Sequence, residues 1–296
     1  MNVARTPGGL EAAERTVAVG TFDGVHLGHR RVLAATVEAG ARPTVVTFDP
    51  HPRIVLGHRV EAISTLERRL ELIAEVGIAD ALVLEFTPDV AALEPEAFAR
   101  DVLTAIGARV VVAGEGFRFG RQRRGDLALL RSLGFDARAV PILDGVSSTA
   151  IRALVAEGDV AGAATLLGRP AEVEGTVVAG DARGGTLGYP TANLAVPPDL
   201  LVPAYGIYAG AAAGHRAAVS IGLNPHYGGV ERRVEAFLLD FTGDLYGRRL
   251  VVELWSRLRD ERAFGSEEEL VEQIGRDVEA ARAAVPPGGT TGVPGR

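Results

Sequence analysis

The segment between residues 20 and 29, GTFDGVHLGH, constrains what this chain can fold into more than any other feature of the sequence. It follows the β-branched run Thr16–Val19 and leads into a helical pattern that begins near His29. In such a strand-to-helix turn, glycines let the backbone approach a polyphosphate, and the helix N-terminus offers unsatisfied N–H groups. His26 and His29 can donate hydrogen bonds to charge that develops on phosphorus. The turn therefore predicts a phosphate site, although a capping histidine beside a core histidine would give the same pattern.

As far as about Gly168, short β-branched runs alternate with helical patterns. This alternation predicts an α/β domain with a parallel sheet, right-handed crossovers and helices on both faces. Ligands of such sheets bind beyond the carboxyl ends of the strands, where the histidine turn, the segment 48–52 and the loop 114–125 all fall. The predicted strands are Thr16–Val19, Thr44–Phe48, Ala81–Phe86, Arg109–Ala113 and Ala137–Pro141, and the predicted helices are Leu66–Val76 and Glu96–Ile106.

After Gly168, strand-like runs follow one another with little helix between them. Consecutive strands with Gly- and Pro-bearing turns predict an antiparallel sheet or small barrel. A single helix follows, with Ser266 and Glu269 as a capping box, and runs to about Ala283. The predicted domains are 1–169 and 170–285, and the Pro-, Gly- and Thr-rich tail 286–296 is expected to be disordered. The predicted strands here are Val173–Ala179, Gly206–Ala212, Ala217–Ile221, Arg233–Phe241 and Arg249–Leu258.

Composition excludes several kinds of chemistry. The 296 residues are enough for two cores, and they include no cysteine and no lysine. Thiolate metal sites, cysteine nucleophiles and lysine Schiff bases are therefore excluded, and phosphate must be bound by Arg, His, backbone amides and metal. A net charge of −7 argues against a nucleic-acid partner and favours small anionic ligands carried with magnesium. Without a membrane-length apolar stretch or a secretory pattern at the start, we expect a cytoplasmic location and no membrane partner.

The segment 146–152, VSSTAIR, enters a helix through three hydroxyl groups. Ser147, Ser148 and Thr149 could simply cap that helix, which Ser and Thr do well. One cap needs only one hydroxyl, however, and three of them with Arg152 one turn further on would bind a triphosphate well. We therefore favour nucleotide binding over capping.

Two segments of the second domain carry candidate catalytic groups. Thr191 and Asn193 place a hydroxyl and an amide oxygen two residues apart, on one side if the segment is extended, after a glycine-rich run that could equally be a surface turn. Glu235 shares a strand side with Phe237 and, by continued alternation, with Leu239 and Phe241. A carboxylate on that side is either a buried structural group or a base whose pKa is raised by desolvation.

The motifs of the first domain resemble those of the nucleotidyltransferase superfamily. The turn 20–29 is similar to its Gly-x-Phe-Asp-x-x-His-x-Gly-His signature, and the following TFDPHP at 47–52 resembles bacterial bifunctional riboflavin kinase/FAD synthetases. The resemblance implies a Rossmann-like domain in which His26 and His29 are catalytic. It implies that ATP contacts Gly20, Phe22, Asp23, Gly24, Gly28, Ser147, Ser148, Thr149 and Arg152. It implies flavin contacts at Phe48, His51, Pro52, Gly116, Phe117 and Phe119. Paired phenylalanines are more often core residues, however, and the segment 48–52 could instead make the pocket rigid.

The second domain resembles riboflavin kinases. The run 183–194, RGGTLGYPTANL, and the strand VEAFLLDF at 234–241 are similar to that family's magnesium-nucleotide element and base-bearing strand. The resemblance implies that Arg183, Gly184 and Gly188 bind nucleotide, that Thr191 and Asn193 hold Mg²⁺, and that Glu235 is the base. It implies an antiparallel barrel that phosphorylates riboflavin with ATP to FMN, and a first domain that adenylylates FMN to FAD with release of pyrophosphate.

Two features depart from these families. Gly116 stands where the flavin-side loop usually carries Asp or Asn, and residues 224–227 read Asn-Pro-His-Tyr rather than Asn-Pro-Thr-Phe. A chain that is mainly a riboflavin kinase, with a weakened adenylyltransferase domain, therefore stays open as an alternative. A non-catalytic flavin-binding regulator is disfavoured, since binding alone needs neither the two histidines nor Glu235. The expected partners are riboflavin, FMN, FAD and ATP, and a homo-oligomer is possible.

Overall fold

The computed structural model of the chain describes residues 1–180, 188–224 and 231–288. The chain divides into two compact units, Met1–Ser147 and Ser148–Arg296. The predicted domain boundary lies at 169/170, so two helices between residues 148 and 167 belong to the predicted first domain but to the second compact unit. The predicted disordered tail lies mostly outside the described residues. Within the part of the chain that the structure describes, no helix is long and apolar enough to cross a membrane.

The first unit, described in full, is built on a parallel sheet as predicted. Its strands are β1 (Asn2–Ala4), β2 (Arg15–Val19), β3 (Arg42–Asp49), β4 (Asp80–Glu85), β5 (Ala108–Gly114) and β6 (Asp136–Val140). They lie in the order β1-β4-β3-β2-β5-β6, with every neighbouring pair parallel. The helices are α1 (Leu27–Glu38), α2 (Pro52–Val55), α3 (Leu66–Glu75), α4 (Pro88–Ala91), α5 (Pro95–Phe98) and α6 (Leu127–Ser132).

The first unit differs from the prediction in an edge strand and in one helix, and its short helices α2, α4 and α6 were not predicted. The edge strand β1 has only three residues, too few to show a period of two in the sequence. The helix predicted over Glu96–Ile106 is α5, which continues as a π-helical segment, Ala99–Thr104, that still buries Ala99, Val102 and Leu103. The apolar spacing thus predicted the buried face correctly but not the wider hydrogen-bonding pattern.

A buried ion cluster joins the amino ends of the three neighbouring strands β4, β3 and β2. Arg15 is fully buried and donates to the Ile106 carbonyl (2.9 Å), to Thr44 Oγ1 (3.1 Å) and to the Asp80 carboxylate. Arg42 donates to both oxygens of Asp80. The Arg42 hydrogen bond, helped by that of Arg15, lowers the pKa of Asp80, although burial acts in the opposite direction. The cluster lies at the end of the sheet opposite the histidine turn, so we expect it to stabilise the sheet rather than to contact a ligand there.

The second unit is a closed antiparallel barrel with helices beside it. Its described strands are β7 (Ala171–Val178), β8 (Ala192–Ala195), β9 (Gly206–Ala212), β10 (His215–Asn224), β11 (Glu231–Leu238) and β12 (Arg249–Arg259). They close in the order β10-β11-β8-β7-β12-β9. Helices α7 (Ser148–Glu157) and α8 (Val160–Leu167) precede them, and α8 packs on β12 and β7. The last helix, α9 (Glu267–Ala283), is capped by Ser266 as predicted and packs on β10 and β9.

We expect Asp80→Asn to lower the free energy of unfolding of the first unit by about 3–5 kcal/mol, because Arg15 would be left buried without its counter-charge. Far-UV circular dichroism in urea checks this, while the fluorescence of Trp255, the only tryptophan and part of β12, reports the second unit. Since the pKa of Asp80 is lowered in the folded state, its contribution is present above about pH 3.9 and is lost as the pH falls through the folded-state pKa.

The control is Asp136→Asn, which removes an exposed ion pair with Arg138. It should leave the unfolding curve nearly unchanged, because exposed pairs contribute little. Equal effects of the two substitutions would show that the buried cluster does not stabilise the sheet.

Candidate active sites

The histidine turn is built around His26, which caps helix α1. His26 Nδ1 accepts a hydrogen bond from the backbone N–H of His29 (3.2 Å), and the ring is buried. A Cβ at Gly28 would lie 3.2–3.3 Å from the His26 ring, so glycine leaves room for this cap. The capping alternative is therefore correct for His26. The ring can still donate a hydrogen bond to a ligand, because a neutral ring that accepts at Nδ1 carries its proton on Nε2.

His29 stacks on His26, with ring centroids 3.6 Å apart and planes 15° apart. Its Nδ1 is buried and has no hydrogen-bond partner among the described residues. Burial lowers the pKa of His29 well below its ordinary value, and repulsion from His26 and from Arg69 lowers it further. His29 is thus a neutral imidazole near pH 7, able to donate one N–H to a phosphate oxygen.

Several residues assigned to the nucleotide by resemblance also build the turn itself. Asp23 is buried and accepts hydrogen bonds from the backbone N–H groups of Ile63 (2.9 Å) and Ser64 (3.2 Å). Gly24 has φ of +77°, and a Cβ there would lie 2.8 Å from the Ile63 side chain. Phe22 is a core residue, with Gly20 directly beside its ring. These residues hold the turn against the segment before α3, whatever they contact when ATP binds.

Arg69, on α3, was missed by the sequence analysis. Its side chain is 5% exposed and donates to the carbonyl of Thr21 (2.9 Å) and to the carbonyl of Phe48 (3.1 Å). In the sequence it reads as part of a charged helix face, since Arg68 and Glu71 surround it. That Arg69 points into the unit is evident only from the structure, in which the carboxyl ends of β2 and β3 provide the carbonyls that it contacts.

The loop between β3 and α2 combines packing with capping. Phe48 contacts Phe86 edge-on, with centroids 5.4 Å apart. His51 Nδ1 accepts from the backbone N–H of Arg53 (3.2 Å), and Pro52 is the first residue of α2. His51 and Pro52 are half-buried.

The loop after β5 separates its two phenylalanines by burial. Phe119 belongs to the core and packs near Phe98, while Phe117 is half-buried and stacks on Phe119 with centroids 5.5 Å apart. Gly116 is exposed, its φ lies outside the left-handed region, and a Cβ there would make an ordinary 3.6 Å contact with Ile142. The backbone at 116 therefore does not require glycine.

The hydroxyl-rich segment lies at the division between the compact units. Ser147 ends the first unit, and α7 begins at Ser148, so that Arg152 lies one turn into the helix and Ile151 is buried. The assignment of Ser147, Ser148, Thr149 and Arg152 to ATP stays a prediction from sequence resemblance.

Strand register brings the candidate groups of the barrel together. Glu235 on β11 lies directly opposite Asn193 on β8 and opposite Ser220 on β10. Cross-strand partners share a face. The alternate residues Val234, Ala236 and Leu238 are buried, so this row lies on the outer face of the barrel.

The alternation predicted for Glu235 ends sooner than expected. Glu235 and Phe237 share the outer face, but β11 stops at Leu238, and Asp240 has φ of +57°. Leu239 still donates its backbone N–H to the Arg216 carbonyl, one step further along the same pairing, so only Phe241, after Asp240, does not continue that face. The Glu235 carboxylate is 26% exposed and pairs with Arg233 Nε (3.1 Å), so it is neither a fully buried group nor a surface one.

Asn193 is held with its oxygen uncommitted. Its Nδ2 makes a long contact with the Thr191 carbonyl (3.4 Å), and its buried Oδ1 has no hydrogen-bond partner among the described residues. A Cβ at Gly180 would lie 2.3–2.6 Å from the Asn193 amide, so that amide can occupy its place only beside a glycine. Gly188, with φ of +88°, is described, whereas Arg183 and Gly184 lie outside the described residues, as do residues 225–227.

A cavity of about 350 Å³ opens next to Thr191. It lies where the barrel strands β7, β8 and β11 meet the loop that follows β11. Tyr246, on that loop, is exposed at its edge. Its lining residues are Val177, Pro190, Thr191, Ala192, Ala236, Leu238, Phe241, Thr242, Gly243, Asp244, Leu245 and Tyr246.

Comparisons with known proteins match both units. A family model for FAD synthetase matches residues 10–149, and one for riboflavin kinase matches residues 167–285. A bifunctional riboflavin kinase/FMN adenylyltransferase from Listeria monocytogenes is 35% identical over 288 residues, covering 91% of this chain and 92% of that protein. A relative of the same name from Escherichia coli K12 is 35% identical and covers 90% of this chain.

A solved structure is similar along nearly the whole chain. A crystal structure from Streptococcus pneumoniae, described as a macrolide-efflux protein, has a TM-score of 0.86 and 31% identity and covers 96% of this chain and 99% of that one. Both family models and the near full-length curated relatives agree on two enzymatic domains in this order. The chain belongs to the bifunctional riboflavin kinase/FMN adenylyltransferase family.

Proposed function

We propose that the two activities of this ATP-using enzyme are carried by two separate sites, the outer barrel face around Glu235 and the histidine turn. Riboflavin is phosphorylated to FMN at the first, and FMN is adenylylated to FAD at the second. The observation that carries the kinase assignment is the opposition of Glu235 and Asn193 across two strands, with a buried amide oxygen on Asn193 that has no hydrogen-bond partner among the described residues.

Phosphorylation of riboflavin requires a base, because its hydroxyl must lose a proton as it attacks. In our proposal the hydroxyl proton moves to the Glu235 carboxylate, the oxygen bonds to the γ-phosphorus, and the bond to ADP breaks. Arg233 supports this role, since its ion pair restricts the rotation of the Glu235 side chain. Ser220, on the opposite side of Glu235, is a further polar neighbour.

Mg²⁺ and ATP fit the groups beside Glu235. Mg²⁺ usually keeps several waters and takes few protein oxygens together with substrate phosphates, so a hydroxyl and one uncommitted amide oxygen suit it. Thr191 and Asn193 would hold the ion, which would neutralise phosphate charge. Thr191 also borders the 350 Å³ cavity, which we assign to the nucleotide of the kinase reaction.

Adenylylation of FMN needs no base, because the attacking phosphate is already deprotonated near neutral pH. Alignment and charge stabilisation are then sufficient. A neutral His29 and the Nε2 proton of His26 supply hydrogen bonds to the phosphates without repelling one another as two cations would. We place the flavin near Phe117 and Phe48, whose rings are only partly buried.

The substrates of the enzyme also suggest its cellular location and its partners. Since both reactions use ATP, we propose a cytoplasmic enzyme whose partners are riboflavin, FMN, FAD and ATP, with no nucleic acid or membrane partner.

Glu235→Gln keeps the shape of the side chain but removes the base. We expect FMN formation from riboflavin to fall roughly 100-fold or more, while FAD synthesis from supplied FMN is retained. Chromatographic separation of flavins measures both rates in one preparation. The control is Glu279→Gln, an exposed carboxylate on α9, which should behave like wild type. Kinase activity near wild type in Glu235→Gln would make Glu235 a structural residue.

His26→Asn and His29→Asn should have the opposite effect. Asparagine is a good N-cap, so His26→Asn preserves the start of α1 while removing the imidazole donor. We expect each substitution to slow FAD formation roughly 100- to 1,000-fold, so that FMN accumulates from riboflavin. Wild-type FAD synthesis by His26→Asn would show that capping is all that His26 does.

Gly116→Asn tests whether the adenylyltransferase is weakened. The variant should fold normally, because φ at 116 suits any residue and a Cβ at this position would lie 3.6 Å from the Ile142 side chain, its nearest neighbour. If the missing acceptor slows FMN alignment, the ratio of FAD to FMN formed from riboflavin should rise above wild type. Fast FAD synthesis by the wild type, with no FMN accumulation and no gain in Gly116→Asn, would exclude an enzyme whose adenylylation is slower than its phosphorylation.

A further inference from the structure

Arg69 connects two loops that come from different strands of the first unit. One guanidinium nitrogen donates to the Thr21 carbonyl, in the turn after β2, and the other donates to the Phe48 carbonyl, at the end of β3. The Thr21 carbonyl also accepts from Thr47 Oγ1 (3.1 Å), so the start of the histidine turn is fixed from two directions. Arg69 thus joins the histidine turn to the end of β3, beside the contact that Thr47 makes.

This arrangement costs stability, which indicates a role other than packing. Arg69 is 5% exposed, and burial lowers its pKa despite attraction from Asp23 and Asp49. Its Nε is buried and has no hydrogen-bond partner in the described part of the chain. Within the part of the chain that the structure describes, Arg69 makes no ion pair with a carboxylate, and replacing such a buried cation by an apolar side chain of similar volume is often neutral or stabilising. An arginine is needed only if its two donors or its charge matter.

The two donors suit the geometry, since the planar guanidinium can reach two carbonyls at once and a lysine ammonium presents a single point. The charge also affects the catalytic turn. In addition to burial and the neighbouring His26 ring, the charge of Arg69 lowers the pKa of His29. Asp23 and Asp49 face Arg69 and moderate its charge.

We propose that Arg69 is a positioning residue for adenylyl transfer, which holds the ATP-binding histidine turn and the Phe48–Pro52 loop at the spacing that aligns the FMN phosphate with ATP. This inference rests on the proposed function of the turn. It assigns no contact between Arg69 and either substrate: the residue acts through Thr21 and Phe48.

Three variants separate positioning from folding. Arg69→Met removes the charge and both donors but keeps an elongated apolar stem. Arg69→Lys keeps the charge and loses the two-pronged contact. Arg68→Met is the matched control, since the neighbouring Arg68 donates to Glu71 on the same helix. Circular dichroism and the riboflavin kinase rate of each preparation report whether the protein is folded and correctly quantified.

We expect Arg69→Met to lower kcat/KM for FMN adenylylation by about 10- to 100-fold, since small misplacements of reacting groups have effects of this size. Arg69→Lys should recover part of that loss, and Arg68→Met should match wild type. In a histidine NMR titration without substrates, Arg69→Met should raise the pKa of His29, whereas Arg69→Lys and Arg68→Met should change it little.

Wild-type adenylylation kinetics in folded Arg69→Met would overturn the inference, as would equal losses in Arg69→Met and Arg68→Met. If Arg69→Met does not fold, full wild-type kcat/KM in Arg69→Lys would overturn it instead. Failure of the proposed function has a different outcome: His26→Asn and His29→Asn would then retain activity while the His29 titration still shifted in Arg69→Met.

Discussion

Strand register is the constraint on which both sites depend. In the barrel, Glu235 meets Asn193 and Ser220 only because β11 pairs with β8 and β10 in one particular register. A slip of one residue would turn Glu235 into the barrel interior and replace it with Val234 or Ala236. The buried row of Val234, Ala236 and Leu238 prevents that slip, so the packing of the interior fixes the position of the candidate base.

In the parallel sheet, arginine side chains hold neighbouring strands together at both ends. Arg15, Arg42 and Asp80 join their amino ends, and Arg69 joins the segments that follow their carboxyl ends. In a chain without lysine, arginine takes both structural positions, and its several donors let one side chain hold two or three backbone groups. In the proposed assignment, the two sites differ in chemistry as their reactions require: a neutral histidine pair where no base is needed, and a carboxylate where one is.

The sequence predicted those parts of the fold that local patterns determine. β-branched runs predicted the long strands of both units, and the Ser266 cap predicted where α9 begins. It did not predict β1, which is too short for a period, or β8, whose four residues follow the Gly- and Pro-bearing run before them. Arg69 was missed because its role depends on two carbonyls far away in the sequence. The opposition of Glu235 and Asn193 is likewise a property of strand pairing that neither motif contains.

The central claim is that each reaction has its own site, and a mixing experiment tests it most directly. Glu235→Gln and His29→Asn are each assayed alone and then together, with riboflavin, ATP and Mg²⁺, for the formation of FAD. If the sites are separate, each variant alone forms little FAD, and the mixture forms it at a substantial fraction of the wild-type rate, because FMN released by one variant is used by the other. A mixture that forms no more FAD than the sum of the separate variants would contradict the account.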